Sequence, residues 1–178
     1  MSENKPTVTS LVVDAEAGAT AGAKKPATRS SGKKSGSQNR RKSRELVLKA
    51  VYRGMLNDSE LSQVFRDMRD DPDYNKADEA YFKHLLQAVT ENLTAIDGKI
   101  VSFIDRAIEE LSPVEHAILR IAGCELMFDL TIPYRVVINE GVELAKVFGG
   151  TDGHKYINGV LDKFAADVRA AEVKAARS

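Results

Sequence analysis

The stretch 148–164, FGGTDGHKYINGVLDKF, gathers residue types that could hold a phosphate or run a reaction: Gly149, Gly150, Gly153, His154 and Lys155. It lacks the GxxxxGK pattern of a phosphate-cradling loop and follows an apolar helical period, whereas such a loop follows a strand. The histidines His84, His116 and His154 fall on different expected elements without metal-ligand spacing, so neither a metal nor another cofactor is expected. His116, beside Glu115 in the first turn of a helix, reads as a solvated surface group. Cys124 lies inside an apolar helix and reads as packing. As a lone cysteine it excludes an intramolecular disulfide framework and fits a reducing compartment. The acid runs at 109–110 and 70–73 lack the alternating oxygen spacing of a calcium loop. Catalysis needs a base, a nucleophile or a metal set converging in a pocket. No such set is visible, and an enzyme is not expected.

Charge is the stronger signal. The 26 basic and 26 acidic residues cancel, but unevenly. From Lys24 to Arg44 nine positive side chains stand without an acid, while residues 45–178 hold 16 basic against 23 acidic residues, a net of −7. Such a polarised chain sends its basic end toward a polyanion. The run NRRKSREL puts Arg40, Arg41, Lys42 and Arg44 at the start of the first expected helix, and arginine forks suit phosphate oxygens. DNA, RNA and acidic protein partners all fit at this level.

Helices must position these groups. Residues 1–39 read as a disordered Ala/Gly/Ser/Lys-rich tail, with too little apolar surface to offset the entropy of ordering it. The ordered domain is expected over 40–170, with order beginning near Ser43, and residues 171–178 as a frayed C-terminus. Val47, Ala50 and Val51 share a face of the first helix. A second helix is expected over about 59–69 from a Ser59 cap, and a third over about 76–93 with Phe82, Leu85, Leu86, Val89 and Leu93 inward. Gly98 is expected to turn the chain into a short fourth helix over about 99–109. Ser112, Pro113 and Glu115 form a strong start for the fifth, which is apolar on more than one face and therefore central. The sixth starts near Thr131 and Pro133 and ends at Gly149 and Gly150. The seventh covers about 153–170, with Gly153 giving latitude for its turn. The fold class is all-α: a single compact domain of about seven helices in two helical halves meeting across the fifth. No run approaches the roughly 20 apolar residues of a membrane span, and no secretory signal opens the chain, so the cytoplasm is expected.

Three stretches, RRKSRELVLKAVYRGML, LSPVEHAILRIAGCELMF and IPYRVVINEGVELAKVFGGTDGHKYINGVLDKF, resemble the NusB family of transcription antitermination factors, in family order and spacing over about 40–169. The resemblance implies an all-helical protein that pairs with the small-subunit ribosomal protein NusE. The pair would bind single-stranded boxA RNA and help a transcribing RNA polymerase complex resist termination, notably on ribosomal RNA operons. The family fold also occurs in larger ribosomal RNA methyltransferases; no such domain follows here, which implies the free-standing factor. Carried over by motif, Arg40, Arg41, Lys42 and Arg44 are the RNA-contacting arm, Lys42 standing where arginine is usual. Tyr52 and Phe103 match aromatic positions near the RNA or partner face. Asp152 and Tyr156 match the RNA-side loop, with tyrosine where phenylalanine can occur. Glu109 and Glu115 match acids that meet the ribosomal protein. The long tail departs from the short family start.

Gly149 and Gly150 then need only a structural explanation, while Asp152, Lys155 and Tyr156 form a binding surface beside the arm: a charge, a ring for a base, and a carboxylate for base amines. The rival reading is a helical adaptor that binds only protein, because the body is acidic.

Overall fold

The computed structural model describes residues 34–178. Residues 1–33, most of the tail expected to lack structure, lie outside the described residues. Eight helices follow: α1 (Lys34–Leu56), α2 (Leu61–Met68), α3 (Glu79–Glu91), α4 (Leu93–Ile100), α5 (Pro113–Phe128), α6 (Tyr134–Phe148), α7 (Gly153–Val168) and α8 (Ala170–Ala176). Single 3₁₀ turns, Tyr74–Lys76 and Ile108–Glu110, lie in the connections, and the described residues contain no strand.

Helix α5 is apolar nearly all round because it is surrounded: Ala117, Ile118, Leu119, Ile121, Ala122 and Leu126 are all buried. One group, α1, α3 and α4, packs on it, with α2 against α1 and α3; α6 and α7 form the other group. These are the two halves anticipated from the pattern. Its start is local chemistry: Ser112 Oγ accepts from the Glu115 N–H at 3.2 Å, with Pro113 at the first helical position. Its end depends on a distant residue. Buried Arg169 donates to the carbonyls of Glu125, Leu126, Asp129 and Ile132 at 2.8–3.1 Å, supplying partners that the last turn lacks.

Several expectations need correction. Helix α1 begins at Lys34, inside the segment expected to be disordered. Tertiary bonds hold it from Asn39 onward: the Asn39 carbonyl accepts the Asp78 N–H at 3.1 Å, and buried Ser43 Oγ lies 2.7 Å from the Asp78 carbonyl. The fourth helix ends at Ile100 and runs through Gly98, because Ile96 and Ile100, one turn apart, are both fully buried. Val101 is 54 % exposed, so the apolar period loses its core face there. The frayed end is in fact α8. Its Val173 is buried, and Glu172 accepts from the Tyr134 N–H at 2.9 Å, capping α6 where Pro133 and Thr131 do not.

The glycine turn also resolves differently. A Cβ on Gly149 would stand 2.6 Å from the Ala145 carbonyl oxygen, so glycine is required there by close approach at an ordinary φ of −85°. The left-handed residue before α7 is Asp152, at φ 63°, and not Gly153. Asparagine and aspartate tolerate that region better than most residues.

Candidate nucleic-acid interface

The four arm residues have different surroundings. Arg40 is exposed, its guanidinium 4.6 Å from the centre of the Tyr81 ring. Lys42, half-buried, bonds Glu45 at 3.0 Å and lies 3.7 Å from Asp73; the Glu45 bond in particular raises its pKa. Arg41 is a two-pronged partner of Glu140, with Nε and Nη2 each at 3.0 Å from a carboxylate oxygen, yet remains 41 % exposed. The shallow cleft around it is acidic, lined by Glu45, Glu140 and Glu143 together with Leu144 and Val147.

Arg44 departs from the expected role. It is buried, with Nε 2.8 Å from Glu125 Oε1 and Nη2 3.3 Å from the Tyr81 hydroxyl, which itself donates to Glu125 at 2.8 Å. Burial works against its charge, but Glu125, Tyr81 and Glu140 outweigh that and raise its pKa. A guanidinium enclosed in this way is a core ion pair. Its partner lies 81 residues away, which is why a basic run in the sequence does not reveal it.

A second cluster forms where the segment after α4 lies against α7. Half-buried Phe103 packs on Phe164 with ring centres 5.2 Å apart. Three residues on, the Arg106 guanidinium sits 4.4 Å from the centre of the Tyr156 ring, and Asp105 accepts from Arg106 Nε at 2.9 Å and from the Tyr156 hydroxyl at 3.4 Å. Partial burial raises the Tyr156 pKa, against the pull of Arg106, so the hydroxyl stays protonated and able to donate at neutral pH. Lys155, 72 % exposed, makes an open pair with Asp152 at 3.2 Å. Asp152, Lys155 and Tyr156 thus share the start of α7, while Phe103 anchors the neighbouring segment farther along the same helix at Phe164. Among the described residues no hydrogen bond or ion pair links them to the arm. Val147, in the Arg41 cleft, stands five positions before Asp152 in the chain. Tyr52, partly exposed, lies eleven residues beyond Arg41 on α1, the same helical face about 16 Å along the axis.

The two acids expected to meet a protein partner separate. Glu109 is exposed on the 3₁₀ turn. Glu115 is half-buried with its carboxylate against Gly153, where a Cβ would stand 3.4 Å from it, so it borders the Tyr156 cluster. Arg106 was not legible in the sequence, since its partner ring is 50 positions away; only its place beside Asp105 in a connecting segment is visible there. His116 is also corrected: it is half-buried with Nε2 2.9 Å from Asp97, which Arg120 grips through two further bonds. Cys124 is buried as expected, its thiol pushed up to about 12 mainly by that burial. Among the described residues no group of three His, Cys, Asp or Glu side chains could hold a metal, and no helix is long and apolar enough to cross a membrane.

A family model described as the NusB family matches residues 41–166. Similar proteins include the transcription antitermination protein NusB of Methylobacillus flagellatus, 56 % identical over 140 residues, spanning 79 % of this chain and 91 % of that one. That of Thiobacillus denitrificans is 46 % identical over 139 residues, 78 % of this chain and 96 % of the other. A solved structure of T. maritima NusB superposes with a TM-score of 0.63 at 31 % identity, covering 71 % of this chain and 89 % of that one.

Proposed function

The chain belongs to the NusB family, and from that premise we propose that, with the small-subunit ribosomal protein NusE, it binds single-stranded boxA RNA and helps RNA polymerase resist termination, notably on ribosomal RNA operons in the cytoplasm. Its general role is transcription antitermination, and it is not an enzyme.

The observation that carries the RNA reading is the Arg106–Tyr156 stack beside exposed Lys155. Aromatic rings and guanidinium planes are the surfaces on which unpaired bases stack. The acids Asp105, Asp152 and Glu115 around it disfavour phosphate and suit the amino groups of bases. Arg40 is the arm charge open to phosphate, and Lys42 reaches one by releasing Glu45. Arg41 would first have to leave Glu140. Tyr52 and Phe103 stand as further aromatic contacts. Glu109 faces NusE, whereas Glu115 adjoins both ligands.

The adaptor alternative gains from one observation: three of the four arm cations are paired with acids of the body. A mobility shift with boxA-like and scrambled RNA, with and without the ribosomal protein, separates the readings. Discrimination between the RNAs, sharpened by the ribosomal protein, supports the RNA reading. Equal mobility of both RNAs in both mixtures leaves only the adaptor.

A further inference from the structure

Between α6 and α7 lies an open groove of about 520 Å³ that none of the motifs accounts for. Arg135, Lys146, Lys155 and Arg177 line it, with Asp162 as its one acid. A local net of +3, apart from His154, stands out in a body whose residues 45–178 carry −7. The amides of Asn139 and Asn158 also face into it and can both donate and accept.

These cations are available. Arg135 donates to neutral oxygens, the Tyr134 hydroxyl at 3.1 Å and the Ala176 carbonyl at 3.5 Å. Lys146 and Lys155 meet Glu143 and Asp152 in exposed pairs at 3.2 Å, which hold little free energy and exchange readily. The register aligns them. Arg135, Asn139, Val142 and Lys146 recur at i, i+4, i+7 and i+11 along α6, a line about 16 Å long. Lys155, Asn158 and Asp162 recur at i, i+3 and i+7 along α7. Lys155 also neighbours Tyr156, so the groove starts where the base-stacking cluster ends.

We infer that this groove holds the phosphodiester backbone of the RNA strand continuing beyond the bases at Tyr156, a second track separate from the arm. The inference rests on the RNA reading above. The cluster at Tyr156 is too acidic to hold phosphates, and a strand leaving it meets the linear run of cations on α6 and α7. A linear row of exposed cations with interspersed amides matches a single strand's repeating phosphates better than one compact anion.

The test compares a boxA-length oligonucleotide with the same RNA extended at either end by about eight nucleotides, within the range of single-strand site sizes. The full chain is used with Arg135, Lys146 and Arg177 all changed to Gln, and separately with Lys146→Glu, a change at an exposed position. Three phosphate contacts at about 0.7 each add about 2 to the salt slope for the extended RNA, so its advantage over the short RNA falls roughly 20-fold between 50 and 200 mM salt. The triple variant should bind the short RNA as the wild type does and lose that advantage, and Lys146→Glu should lose part of it. A wild type that binds the short RNA but gains nothing from extension overturns the groove alone. So do variants that lose short and extended RNA equally, or neither. A wild type that binds neither RNA overturns the RNA reading and the groove together.

Discussion

Replacing Arg44 by alanine removes the guanidinium that neutralises Glu125, a residue 1 % exposed whose Oε1 lies 2.8 Å from Arg44 Nε. The Tyr81 hydroxyl, also at 2.8 Å, can still donate its hydrogen bond, but nothing remains to balance the charge. Breaking a buried pair from one side costs about 3–5 kcal/mol. With a urea m-value of about 2 kcal/mol per M, the unfolding midpoint should drop by about 2 M. Arg44→Met combined with Glu125→Gln leaves no buried charge at this point and should recover most of the loss. Arg40→Ala supplies the contrast. Its guanidinium is exposed over Tyr81, so the change should cost about 1 kcal/mol or less, while the salt slope of RNA binding falls by about 0.7. Urea titrations followed by circular dichroism, paired with filter-binding salt titrations, read both quantities. If Arg44→Ala kept the wild-type midpoint and flattened the slope as Arg40→Ala does, the arginine would belong to the RNA site and the buried-pair account would fail.

Gly149→Ala should destabilise by roughly 1–3 kcal/mol, because its Cβ would meet a backbone oxygen at 2.6 Å; an unchanged melting temperature would contradict this. Glu172→Ala removes both the cap from the Tyr134 N–H and the carboxylate paired with buried Arg169 at 2.7 Å, and should cost about 1 kcal/mol or more in denaturant unfolding, whereas a free C-terminal tail would cost nothing. Asp97 is held at about 2: burial pushes it up, but the hydrogen bonds from His116 and Arg120 more than offset that. A carboxyl depressed in the folded state stabilises above its unfolded pKa, so about 2 kcal/mol is present above about pH 4 and is lost as pH falls through about 2. Asp97→Asn should flatten that acid limb, and an equally steep loss in the variant would assign the effect to other groups.

What the sequence alone determines here is local. The Ser112–Pro113–Glu115 start of α5, the close at Gly149 and the apolar periods of α3, α5, α6 and α7 all rest on interactions within a few residues, which the order of residue types records directly. Asp152, Lys155 and Tyr156 stand within one motif of the sequence, whereas the packing of the Phe103–Arg106 segment against their helix is not written in any spacing. The tertiary structure decided what each charge does. Arg40 and Arg44 are the same residue type four positions apart on one helix, yet one is exposed over a ring and the other is sealed against Glu125. Arg169 resembles any basic residue near a chain end until four carbonyls of the α5–α6 region converge on it. Gly98 was expected to turn the chain into a fourth helix beginning at about 99; the bonds to Asp97 from His116 and Arg120 and the burial of Ile96 and Ile100 instead carry a helix from Leu93 through Gly98. A helical period needs only the backbone's own repeat, but the environment of a charge depends on partners brought from 19 to 99 positions away, and only folding brings them there.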